Sequence, residues 1–155
     1  MALAGKVDGK THRVYAMTGD GELAEGQIWE AAMSAANYKL DNLCAIVDVN
    51  GLQIDGRTCD VMPTEPLDGK FAAFGWHVLK ADGHDCADVA RALDEAAALK
   101  GAPTVILART VKGKGVSFME NDAGWHGKAP DDAQYAKARA ELEATLQALE
   151  GQKNG

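Results

Sequence analysis

Asp20 and Asn50 lie 30 positions apart, and each follows an apolar run. Arg13–Thr18 leads into Gly19-Asp20-Gly21, and Leu43–Val49 leads into Asn50-Gly51-Leu52. If the two runs are parallel strands side by side, their C-terminal ends share one sheet edge. The carboxylate and the amide oxygen then converge beside a Gly-rich turn and a helix N-terminus. Such a corner suits a hard cation and a phosphate. Magnesium takes near-octahedral oxygen ligands and commonly shares them with phosphates, and the Leu52 carbonyl is placed to add a third protein ligand. Glycines admit backbone N–H groups close to a phosphate, and a following helix contributes its positive end. Gly-Asp-Gly by itself is equally a strand-ending turn, with Asp bonding its own backbone.

The elements that would position these groups alternate between strand and helix. Arg13–Thr18 reads as a strand. Residues 25–40 read as a helix with Trp29, Met33, Ala36 and Leu40 on one face, widened by Ile28, Ala32 and Ala35. Leu43–Val49 is almost wholly apolar, as a buried parallel strand is. A Gly-rich loop through Gly51, Asp55 and Gly56 follows. Thr64-Glu65-Pro66 resembles a helix start into Leu67–Phe74. Trp76–Lys80 reads as the third strand, and Gly83-His84-Asp85 as a turn into a helix bearing Val89, Leu93 and Ala97. Pro103–Thr110 is the fourth strand. A loop at 112–130 with four glycines and a proline leads to Asp131 and Gln134, a capping box for a closing helix carrying Tyr135, Ala138, Leu142, Leu146 and Leu149. This order predicts an α/β domain, a mostly parallel sheet flanked by helices, over 1–150, with 151–155 as a frayed tail. Residues 1–5 read as the last turn of a helix ending at Gly5, as if the chain began inside a longer domain.

Composition excludes several functions. The 155 residues carry a formal charge of −7, which argues against nucleic acid or anionic membrane as partners. Charged residues interrupt every apolar run, so no segment resembles a membrane span, and the N-terminus lacks signal-peptide character. Cys44, Cys59 and Cys86 are odd in number and form no Cys-x-x-Cys, so a reduced cytoplasm is the expected setting.

Gly-Asp-Gly followed after about 30 residues by Asn, in a strand–helix–strand setting, resembles the thiamine diphosphate motif. The flanking residues make the resemblance specific to transketolases. They are Thr-Gly-Asp-Gly-Glu-Leu-Ala-Glu-Gly-Gln-Ile-Trp-Glu from Thr18, Tyr-Lys-Leu-Asp-Asn-Leu from Tyr38, and Asn-Gly-Leu-Gln-Ile-Asp-Gly from Asn50. Phe-Gly-Trp-His at 74–77, Asp-Gly-His-Asp at 82–85, Lys-Gly-Lys-Gly at 112–115 and Trp-His-Gly-Lys-Ala-Pro at 125–130 follow in family order. Phe118-Met119-Glu120-Asn121 resembles the N-terminal subunit of split bacterial transketolases.

The resemblance implies a thiamine diphosphate-binding fold that is incomplete at its N-terminus. It assigns the metal, Mg2+ or another divalent cation such as Ca2+, to Asp20, Asn50 and the Leu52 carbonyl. Gly21 would contact the diphosphate through its backbone, and Ile54 would lie against the thiazolium ring or simply pack. Glu25 and Glu30 match acids that link two active sites across a dimer interface; for Glu30 a solvated helix face is the alternative. His126 matches a histidine near the diphosphate and the reacting substrate, a suitable place for imidazole to bond an oxyanion or move a proton. Lys112 would steady an anionic cofactor or substrate, or else is a solvated surface lysine. His12, His77 and His84 read as structural, His84 organising its turn, and Trp29, Trp76 and Trp125 as packing residues.

The implied reaction is transfer of a two-carbon ketol unit from a ketose phosphate to an aldose phosphate, as in the pentose phosphate pathway. It requires a pyrimidine-binding partner subunit or domain in a homo- or hetero-oligomer. The alternative is a catalytically inactive fragment or a metal- and diphosphate-binding module.

Overall fold

The structure is a computed structural model and describes residues 1–153. Four parallel strands form its sheet: β1 (Val14–Gly19), β2 (Leu43–Val49), β5 (His77–Asp82) and β6 (Thr104–Arg109), in the order β1-β2-β6-β5. The last strand in sequence therefore inserts between β2 and β5. That position explains its character, for Thr104–Ala108 are buried without exception. A strand with neighbours on both edges and helices on both faces has no room for alternation. β1 and β5 are the edges, and β1 leaves Tyr15 and Met17 exposed.

The helices are α1 (Ala2–Val7), α2 (Gly26–Asn37), α3 (Thr58–Val61), α4 (Leu67–Ala73), α5 (Cys86–Ala98) and α6 (Asp132–Lys153). One face of the sheet buries Val47, Val105 and Leu107 in a core with Ala32 and Ala35 of α2 and Leu67 and Phe71 of α4. Aromatic side chains fill this layer. Phe71 lies 5.2 Å from Trp29 and 5.4 Å from Trp76, centroid to centroid. Their indole N–H groups donate to Leu23 O at 2.7 Å and Ala32 O at 2.9 Å, so the polar edges of both rings are satisfied. The opposite face is thinner: Cys44, Ala81 and Ile106 meet Ala92 and Ala96 of α5. Small residues there let the helix approach the sheet closely.

Element bounds differ from expectation mainly at their ends. Helix α2 stops at Asn37, because Lys39 turns to φ 49° and Leu40 N–H returns to Ala35 O. The expected loop after β2 contains a small hairpin, β3 (Leu52–Gln53) with β4 (Gly56–Arg57), followed directly by α3. Two-residue strands carry no readable alternation. Helix α1 runs past Gly5 to Val7. The Asp131–Gln134 capping box forms reciprocally, at 2.8 and 3.0 Å. The closing helix extends to Lys153, so 151–153 are helical; Asn154 and Gly155, the rest of the expected frayed tail, lie outside the described residues. Of the apolar residues it carries, Ala138 is buried, while Tyr135, Leu142, Leu146 and Leu149 are exposed. Among the described residues no helix is long and apolar enough to cross a membrane.

Candidate functional site

The parallel pairing of β1 with β2 sets Gly19 opposite Asp48, so both strands end at one edge. Asp20 is the first residue beyond β1, and its N–H donates to Asp48 O at 3.0 Å. Its carboxylate reaches across to the exit of β2, where Oδ2 accepts the Gly51 N–H at 2.7 Å. Asp20 is 3% exposed, and its other oxygen, Oδ1, is buried without a hydrogen-bond partner. Burial pushes this carboxyl above the usual carboxylate range, outweighing the Gly51 and Gly21 N–H groups that pull it down; the charge of Asp48 adds to the rise. A buried, half-satisfied carboxylate is costly unless something positive meets it. The orphaned Oδ1 therefore fits a cation.

Asn50 sits beside Gly51 at the same edge. Its Oδ1 accepts the Leu52 N–H at 2.9 Å, an Asx turn that starts the hairpin. Gly51, at φ 75°, completes that turn, and its carbonyl accepts from Thr58 N–H. Gly21 packs so closely on the hairpin that a Cβ there would lie 2.7 Å from Gln53 Cβ. Gln53 Nε2, also buried, has no acceptor. The corner thus holds one orphaned acceptor and one orphaned donor. Nearby, Glu22 accepts the Gly19 N–H at 2.6 Å, an anionic oxygen on a backbone amide of this Gly-rich turn.

The exit of β6 is tied to that of β2. Thr110 Oγ1 donates to Asp48 Oδ1, and Thr110 N–H donates to Val49 O at 3.2 Å. The chain then enters the loop that carries Lys112 and His126. Asn121 N–H returns to Lys112 O at 2.9 Å, and Gly113, at φ 72°, lies against the Met119 backbone. Trp125 stacks edge-on against Phe118 and donates its indole N–H to Phe118 O. These contacts fold the loop back on itself and bring Lys112 Nζ to 3.5 Å from His126 Nδ1. Lys112 is half-buried and His126 exposed.

The remaining sequence-named residues are more scattered. Glu25 is the exposed residue preceding α2, and Glu30 is exposed on that helix. Ile54 stands at the hairpin tip, 69% exposed. Among the described residues, no three His, Cys, Asp or Glu side chains gather as a metal centre, so a cation at Asp20 needs amide, carbonyl or ligand oxygens. A cleft of about 760 Å³ opens where β5 and β6 end, lined in part by Val49, His84, Thr110 and Val111. Asp48, Gln53 and Thr110 were not singled out from sequence. Asp48 is the lone acid in an otherwise apolar strand two residues before Asn50, the one signal that could have marked it.

Comparison with known proteins agrees with this arrangement. Residues 5–148 match the family described as transketolase, thiamine diphosphate binding domain. The chain is 46% identical over 143 residues to a 6-deoxy-6-sulfo-D-fructose transketolase subunit of Clostridium sp., covering 92% of this chain and 52% of that protein. It is 43% identical over 155 residues to an apulose-4-phosphate transketolase subunit of Phocaeicola vulgatus, covering 100% of this chain and 55% of that protein. The chain spans about half the length of these relatives. The crystal structure of Campylobacter jejuni transketolase superposes with a TM-score of 0.81 at 32% identity, covering 90% of this chain and 22% of that one. The chain belongs to the transketolase family, whose thiamine diphosphate binding domain it carries.

Proposed function

We propose that this chain is the diphosphate-holding part of a split transketolase. The carrying observation is the orphaned, buried Oδ1 of Asp20 at the edge it shares with Asn50. Asp20, Asn50 and the Leu52 carbonyl would hold Mg2+ or a similar cation, and Gly21 would present its backbone to the diphosphate. Gln53 Nε2 is a further buried donor for a bound oxygen. Lys112 and His126, side by side in their loop, supply a cation and a hydrogen-bonding imidazole to the anionic end of the ligands. When bound, thiamine diphosphate supplies the carbon nucleophile that carries a two-carbon unit from a ketose phosphate to an aldose phosphate. The relatives named as subunits support a pyrimidine-binding partner, whose residues would complete the site. Cytoplasmic, oligomeric assembly is part of the same reading, as are contacts of Glu25, Glu30 and Ile54 with partner or cofactor.

The same Asp20–Asn50 corner also carries a second reading, a cofactor-binding module without turnover. Two-carbon transfer, assayed for the chain alone and mixed with a pyrimidine-binding transketolase subunit, separates the two. Transfer that needs both chains and disappears in Asp20→Ala supports the enzyme. Cofactor binding without transfer in the mixture supports the module, and a folded chain that binds no thiamine diphosphate sinks both.

A further inference from the structure

The turn after β5 grips the exit of β6 at three consecutive residues. Gly83 N–H donates to Arg109 O at 2.7 Å. Gly83 also lies so close to Thr110 that a Cβ there would meet Thr110 Cγ2 at 2.5 Å. His84 then accepts the Val111 N–H on its Nε2, at 2.7 Å. An imidazole nitrogen accepts only when it carries no proton, so this bond requires the neutral ring protonated on Nδ1. The turn itself is braced, since His84 N–H donates to Asp82 Oδ1 at 2.9 Å and Asp82 N–H to Asp88 Oδ2 at 2.8 Å. Asp85 caps α5 by accepting from Ala87 and Asp88, so the helix start does not depend on the His84 ring. Val111 is the residue before Lys112, where the loop toward His126 begins.

We propose that His84 is a positioning residue that latches the Lys112–His126 loop to the sheet through Val111. Without the latch, Thr110 still holds the strand end to Asp48, but the chain beyond it swings from a single side. Lys112 and His126 then lose the fixed place that the sheet end gives their loop. The part concerning the cofactor rests on the function proposed above; the latch does not.

The test compares His84→Leu, which cannot accept the bond, with His84→Gln, whose Oε1 reaches about as far as the imidazole Nε2. Amide hydrogen exchange of the whole, ligand-free chain reads the latch directly. His84→Leu should exchange roughly five- to tenfold faster at Val111 and through 112–126, with α5 unchanged, and His84→Gln should restore protection. Calorimetry with thiamine diphosphate and magnesium should show a matching loss of affinity in the Leu variant only. Unchanged exchange at 111–126 overturns the latch, as does a uniform rise across the chain that Gln fails to reverse. Lost protection with unaltered affinity overturns the positioning role. If the wild-type chain binds no cofactor, the proposed function fails while exchange still decides the latch.

Discussion

Asp20→Asn should make the ligand-free protein more stable and the ligand-saturated protein less stable than wild type. The amide keeps an oxygen to accept the Gly51 N–H, and the buried charge disappears. The cost is an Nδ2 group that inherits the unpartnered place of Oδ1. A buried ion costs several kcal/mol after relaxation, whereas an unsatisfied amide donor costs about 1–3 kcal/mol. A net gain of about 1 kcal/mol corresponds to a melting point about 2–4 °C higher for a chain of this size. Burial holds the folded-state pKa of Asp20 above its ordinary value of 3.8. The wild-type penalty is therefore absent below that value and grows as pH rises through the folded pKa, so the advantage of Asn should close as pH falls toward 4. Magnesium and thiamine diphosphate at about 100 times their dissociation constant stabilise a binding protein by about 2.7 kcal/mol, or about 5–10 °C here. Wild type should gain that shift and Asp20→Asn almost none, inverting the order. Scanning fluorimetry with and without ligands reads both effects. A ligand-free Asn variant that melts below wild type, or equal ligand shifts in both, refutes the reasoning.

Phe71→Ala empties the space between Trp29 and Trp76 and should cost about 3–5 kcal/mol in urea unfolding, since Phe71 is 2% exposed. Gly113→Ala should cost about 1–3 kcal/mol, because its Cβ would stand 2.5 Å from Met119 O at a positive φ. The same variant should weaken thiamine diphosphate binding in calorimetry by displacing Lys112. Lys112→Met should lower thiamine diphosphate affinity about tenfold at low ionic strength and less at high salt, while leaving binding of unphosphorylated thiamine unchanged.

Legibility from sequence followed the range of the interactions. Leu43–Val49 was readable to the residue because a strand with neighbours on both edges is almost wholly apolar, Asp48 being its one exception. The Asp131–Gln134 box was readable because its partners are three residues apart. The order β1-β2-β6-β5 was not, since the apolar character of Thr104–Arg109 states burial but names no neighbours. In the site, Asp20 and Asn50 stood out through their places after two strands. The link from Asp48 to Thr110 spans 62 residues and the one from His84 to Val111 spans 27, and neither leaves a periodic or local trace. His84, expected only to organise its own turn, reaches Val111, two residues beyond the end of β6. The apolar positions of α6 mark a helix, yet Leu142, Leu146 and Leu149 stay exposed because periodicity specifies a face without supplying a partner.

The central claim is that Asp20 and Asn50 hold a cation that in turn holds a diphosphate. Titration calorimetry of the wild-type chain with thiamine diphosphate, in magnesium and then in excess chelator, tests it most directly. The account predicts saturable binding with magnesium, at least about a hundredfold loss of affinity with chelator, and a comparable loss in Asp20→Asn. A folded wild-type chain that binds thiamine diphosphate equally well without any divalent cation would contradict it.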